Sequence, residues 1–340
     1  MNILTVVYGI LIILILAMFH ELGHFFAAKL SGIGVEELSI GFGPTIYQKE
    51  AHGTVYKIGV LPILGYAKIK GMEGNFDAPD GYFKKGLWSR FFTIFAGPLM
   101  NFIVAIVLFS FVFAAFGNPF TPTTTIARAT SNSPAYYAGF ESGDKIIEID
   151  GKVINQWQEV TDIIHNCNGK TLSIIVERNG NDITFSVVPQ KDKITGLWLI
   201  GIYPINQRYS VLASFWEGIK WTGNTLYKMF TFIPMLFTRV GLSSIAGPIG
   251  IVALTSQAAA GGFAELIWFT AFISIALGFT NLLPIPALDG SWIALAIWEA
   301  VTRKPVPPKK QASVQGIGFV VILGLMVLVS LRDIMRLIGK

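Results

Sequence analysis

The sequence predicts a polytopic α-helical membrane protein of about four transmembrane helices, with a membrane-associated β region and an inserted α+β domain. Three observations carry this. Hydrophobic residues make up 52% of the 340, charged residues only 14%, and mean hydropathy is +0.57, far from an ordinary soluble chain. Apolar runs recur at 3–28, 91–116, 266–298 and 314–331. Between the second and third, a stretch of about 70 residues turns polar and alternates as strands do. The net charge of +5 and pI near 9.1 would point a soluble chain toward nucleic acid. In a membrane chain, basic residues mark cytosolic loops and headgroups, and no nucleic-acid motif accompanies them. The single cysteine, Cys167, permits no internal disulfide and reads as a packing residue.

The first run spans about 26 residues, enough to cross a ~30 Å hydrocarbon core with some tilt. It lacks the basic start of a signal peptide and reads as a retained helix. Near its far end stands Met18-Phe19-His20-Glu21-Leu22-Gly23-His24-Phe25-Phe26. An ionisable side chain at membrane depth costs about 2.5–3.5 kcal/mol unless it is paired or bound. On a helix, His20 and His24 share one face and both reach one tetrahedral Zn²⁺, with Glu21 beside it as a general base. In a hydrophilic helix this spacing would be a solvated charge cluster. Apolar flanks remove that reading.

Residues 38–70 are short, alternating and Gly-punctuated, which predicts β structure. They form either a surface hairpin or a sheet beside the metal whose edge pairs with an extended substrate. His52 reads as a loop histidine. In the second run, Gly97-Pro98-Leu99-Met100-Asn101 places an amide in hydrocarbon, where it needs a partner. Helix-helix contact is the commoner use of such an amide. Asn101 is still a candidate for substrate binding.

The polar domain is expected over 121–190, with strands around 125–128, 145–149, 172–176 and 183–187 and one amphipathic helix near 157–167. Its stretch from Ser133-Pro134-Ala135 through Gly143-Asp144-Lys145 to Asp150-Gly151 resembles the PDZ pattern of bacterial membrane proteases. The resemblance implies peptide binding by strand addition beside the helix bearing Val160, Ile163 and Ile164. Residues 191–262 read as a linker region whose apolar pieces are interfacial or re-entrant, because Pro234 and the Gly247-Pro248 pair interrupt them.

In the third run, Asn281-Leu282-Leu283-Pro284-Ile285-Pro286-Ala287-Leu288-Asp289-Gly290 predicts a helix broken at depth, tolerated where freed backbone lines a cavity. Asp289 is then the natural third metal ligand. Glu265 and Glu299 are rivals, but near the span ends they can reach headgroups. A basic link over 303–310 precedes the last run. Lysines and arginines between the first two spans and in this link place those loops in the cytosol. The metal residues then lie toward the cytoplasmic side of the cell (inner or plasma) membrane, and the PDZ-like domain is extracytoplasmic. Arg332, Arg336 and Lys340 run against that charge rule.

Together, His20-Glu21-x-x-His24, Gly97-Pro98 with Asn101, the PDZ-like insert and Asn281-x-x-Pro284-x-Pro286-x-Leu288-Asp289-Gly290 resemble the site-2 protease family of zinc metalloproteases. The resemblance covers nearly the whole chain. It implies Zn²⁺ on His20, His24 and Asp289, Glu21 as catalytic base, and Asn281 holding substrate backbone. It also implies an intramembrane endopeptidase. Its substrates would be membrane-spanning proteins already shortened by another protease, such as anti-sigma factors, or remnant signal peptides, with a peptide or substrate tail at the PDZ-like domain. Departures are a single PDZ-like domain, Ala276 where some relatives carry asparagine, and Ser291 where a second glycine is frequent. Two competing readings are a catalytically silent PDZ-bearing scaffold and a zinc transporter. An intact Glu21 argues against the first, and polar residues gathered at one depth argue against the second.

Overall fold

The computed structural model describes residues 3–192, 195–236, 238 and 247–338. Two compact units divide the chain: Met1–Phe111 with Ser214–Lys340, and Val112–Ala213.

The first unit opens with α1 (Ile3–Leu30), apolar all round as a helix within hydrocarbon must be. It leads into a hairpin of β1 (Val35–Ala51) and β2 (Thr54–Ile69), somewhat longer than the 38–70 expected. His52 and Gly53, both with positive φ, make its turn, so His52 is a turn residue. The antiparallel register places Leu38 opposite both Tyr56 and Ala67. The 37–40 stretch is therefore flanked twice by β2, and 65–69 is left as an outer edge. Next comes α2 (Leu87–Ala115), which carries Pro98 inside it without ending. The two helices cross backbone to backbone: a Cβ on Gly23 would stand 2.2 Å from the Ala96 carbonyl oxygen.

The second unit holds β3 (Asn118–Ala129), α3 (Pro134–Ala138), β4 (Lys145–Ile149), β5 (Lys152–Val153), α4 (Trp157–His165), β6 (Leu172–Arg178), β7 (Asn181–Val187), β8 (Gln190–Lys191), β9 (Trp198–Leu199) and β10 (Ile202–Gln207). The main sheet runs β10-β3-β4-β6-β7, with β5 on β4. The unit is wider than the expected 121–190, because β10 returns to pair with β3. Residues 198–207, expected in a linker, are thus strands of the domain. Ile126, Ile146, Ile149, Ile174 and Val176 fill its core together with Val160 and Ile164 of α4. Val160 and Ile164 thus face the core, and Ile163 of the same helix packs against it while only partly buried. Asp144, fully buried, is held by Arg178 at 2.6 Å and by the Glu141 N–H at 2.9 Å.

The first unit then resumes with α5 (Val211–Leu236), α6 (Pro248–Gly261), α7 (Phe263–Asn281), α8 (Asp289–Thr302) and α9 (Pro308–Ile338). The apolar run 266–298 is indeed two helices, separated where Pro284 and Pro286 forbid continuation. Segments Val6–Leu30, Leu87–Ala115, Phe263–Asn281 and Pro308–Met335 are long and apolar enough to cross a membrane. Buried Phe25, Ala28, Ile33, Val35, Ile69, Tyr82 and Ile94 form a core on which Trp292 and Ile293 of α8 pack. Fully burying such side chains contributes about 1.5–3 kcal/mol each. Arg90 of α2 pairs with Glu299 of α8 at 2.6 Å, so α8 is fixed at both ends of its inner face.

Candidate metal centre

A helical register places His20 and His24 one turn apart on the same face of α1, and both are buried. Their Nε2 atoms lie 3.2 Å from each other. The turn over residues 282–288, between α7 and α8, brings Asp289, first residue of α8, onto the same point. Its Oδ2 stands 3.0 Å from His20 Nε2 and 3.3 Å from His24 Nε2. Residues nearly 270 positions apart in sequence thus converge, as the metal reading requires.

The geometry fits a tetrahedral cation. Ligand bonds of about 2.0–2.1 Å set ligand atoms about 3.3 Å apart. Asp289 Oδ2 is buried and makes no hydrogen bond despite its neighbours, so its lone pair faces a space that a cation satisfies. That space is kept by Gly97, where an added Cβ would stand 2.2 Å from His24 Nε2. The outer nitrogens are fixed as metal-binding imidazoles need. His24 Nδ1 donates to the Thr93 carbonyl at 2.9 Å, leaving Nε2 as the free lone pair.

His20 Nδ1 lies 3.1 Å from the Asn101 side-chain amide. Its amide nitrogen and oxygen are interchangeable in shape, and Oδ1 otherwise lacks a partner. Turned toward the ring, Oδ1 accepts from Nδ1–H and frees Nε2. Glu21 stands beside the triad, and its Oε2 accepts from the Ala67 N–H at 2.7 Å. The outer edge of β2 therefore meets the carboxylate.

A model of peptidase family M50 matches residues 8–325. The chain belongs to peptidase family M50. This M50 peptidase is a member of the site-2 protease family and a zinc metalloprotease. It is 34% identical, over 98% of both chains, to a Clostridium acetobutylicum protein that carries the name zinc metalloprotease by inference. It is 31% identical, over 98% of this chain and 99% of the other, to the Enterococcus faecalis protein named as the protease eep, also by inference. Among solved structures, the PDZ domain of an SdrC-like protein from Listeria monocytogenes is similar at 25% identity. The match covers 25% of this chain and 88% of that one, with a TM-score of 0.23. Its several long apolar helices make the M50 peptidase a multi-pass membrane protein.

The structure brings His20, Glu21, His24 and Asp289 together. Asn281 ends α7, partly exposed, and its amide makes no hydrogen bond among the described residues. Asn101 corrects the expectation of substrate binding: it is fully buried against His20, and its backbone carbonyl accepts from Ser274 at 2.8 Å. So enclosed a side chain is placed to orient the His20 ring rather than to meet a substrate. Sequence reasoning missed Thr93 and Ala67, which act through main-chain atoms and leave no mark in residue type. Gly23 could have been suspected, since a glycine between two expected ligands permits close helix approach.

Proposed function

We propose that this zinc metalloprotease cleaves peptide bonds inside the membrane, in transmembrane segments of other proteins. The observation that carries the reading is a cluster of three candidate ligands with an adjacent carboxylate, His20, Glu21 and His24 on the apolar helix α1 and Asp289 at the start of α8, in a unit whose helices α1, α2, α7 and α9 include segments long and apolar enough to cross a bilayer. His20, His24 and Asp289 would hold Zn²⁺. When bound, the ion supplies Lewis acidity that acidifies water and polarises a carbonyl. Glu21 takes the proton from the attacking water and returns it to the leaving amine. The Ala67 N–H fixes one carboxylate oxygen, which leaves the other free for that transfer.

A helical substrate hides its carbonyls in its own hydrogen bonds, so it must unwind first. The outer edge at 65–69 offers main-chain partners to an extended strand beside Glu21. The Asn281 amide, which makes no hydrogen bond among the described residues, offers another. Exposed Phe42, Ile46, Tyr47, Val60 and Leu61 give the hairpin an apolar end suited to lipid. Substrates of this class are membrane proteins first shortened by another protease, such as anti-sigma factors, or remnant signal peptides. The inserted domain then binds a peptide or substrate tail outside the cell membrane, and the metal site lies toward the cytoplasm.

The test uses purified full-length protein in detergent with a model transmembrane substrate. Cleavage should stop with a chelator, return with Zn²⁺, and map by mass spectrometry within the apolar segment. Cleavage only in soluble flanks overturns the reading.

A further inference from the structure

The start of α8 has an unusual support. Its first residue is the proposed ligand Asp289, yet its N-cap, Leu288, supplies no side-chain hydrogen bond. Just before it, Ala287 holds a left-handed φ of 76°, strained for any residue with a Cβ. Something outside the helix must hold this turn.

Gln315, on α9, does so. Its Oε1 accepts from the Ala287 N–H at 2.6 Å and lies 2.9 Å from the Ser291 hydroxyl. The two partners stand two residues before and two residues after Asp289. Ser291 also lies 2.7 Å from the Leu288 carbonyl, so its single proton is shared between two acceptors in the same turn. Gln315 Nε2 is buried without a hydrogen bond among the described residues, so the polar contacts of this amide there are those of its oxygen. One turn along α9, an added Cβ on Gly318 would stand 2.3 Å from Pro286, so helix and loop are in direct contact. Most of α9 is otherwise exposed along its apolar length.

We propose that Gln315 is a positioning residue for the zinc ligand Asp289. The final membrane helix, which contributes no ligand, sets the carboxylate through one amide oxygen. Ser291 is the second half of that clasp. The inference rests on Asp289 being a zinc ligand, and its test separates the two.

The full chain in detergent is titrated with Zn²⁺ against a competing chelator, and the visible bands of the Co²⁺-loaded protein are recorded. Gln315→Met keeps the volume and removes the acceptor. It should weaken zinc measurably and shift the cobalt bands, because the turn that starts α8 at Asp289 loses the acceptor of the Ala287 N–H and the Ser291 hydroxyl. Gln315→Glu keeps an acceptor and should restore affinity and spectrum. Val314→Ala, which loses only packing on the same helix, should match wild type. Wild-type affinity and spectrum in Gln315→Met, or equal losses in Met and Glu variants, overturn the proposal. If Gln315→Met does not fold, Ser291→Ala decides: a smaller loss in the same direction supports the clasp, and wild-type behaviour overturns it. Wild-type protein that binds no zinc would reject the ligand assignment instead.

Discussion

The carboxylate of Glu21 and the main-chain N–H of Ala67 are joined by a 2.7 Å hydrogen bond, which ties the proposed base on α1 to the outer edge of β2. The edge proposed to receive a substrate strand therefore also aims the proposed base.

Replacing Ala67 with proline removes that donor at an outer edge, where a sheet tolerates proline. A hydrogen bond to a charged group is worth about 1.5–3 kcal/mol, so cleavage should slow about 10–100-fold. Zinc content should be unchanged. Turnover at the wild-type rate would show that the contact has no catalytic consequence.

Glu21→Gln and Asp289→Ala should separate chemistry from metal binding. The first keeps the ligand set and should retain zinc while losing about 10²–10⁴-fold in rate, the span typical of a general base. The second removes a ligand and should lose both. Full zinc occupancy in the Asp289 variant, read by elemental analysis, would refute the ligand assignment.

Asn101→Leu deprives His20 Nδ1 of its partner and should weaken zinc about 10–100-fold. Asn101→Asp keeps an acceptor there and should retain most of the affinity. If Asn101 instead served substrate, Asn101→Leu would raise KM and leave chelator competition untouched.

In the inserted domain, burial alone would raise the Asp144 carboxyl, but the Arg178 guanidinium and the Glu141 N–H outweigh it and hold it below the usual range. A carboxyl lowered in the folded state adds stability that is complete above its unfolded pKa of about 3.9 and is lost as pH falls through the folded value. Hydrogen exchange corrected for intrinsic rates should therefore show β4 and β6 losing protection below about pH 4. Asp144→Asn should flatten that dependence. Equal acid sensitivity in both proteins would assign the loss to other groups.

The residues of the candidate centre were legible because they violate their surroundings. His20, Glu21 and His24 interrupt an apolar run, and Asp289 sits where two prolines break another. Their meeting point needed no detail beyond helical period and hydrocarbon cost. What surrounds them was illegible for a physical reason. Thr93 and Ala67 contribute backbone atoms that any residue type would offer. Asn101 and Gln315 acquire their roles from how helices cross, which amide chemistry alone does not encode. The inserted domain was legible as strands, but its limits depended on β10 returning to β3, a long-range pairing outside any local pattern.

The metal unit is discontinuous, Met1–Phe111 with Ser214–Lys340, so the imidazoles emerge from the ribosome long before the carboxylate that completes them. On the ligand set proposed above, a polypeptide ending before Asp289 carries the base and only two of the three ligands. Hydrolytic competence is then acquired only once the residues on both sides of the inserted domain are in place.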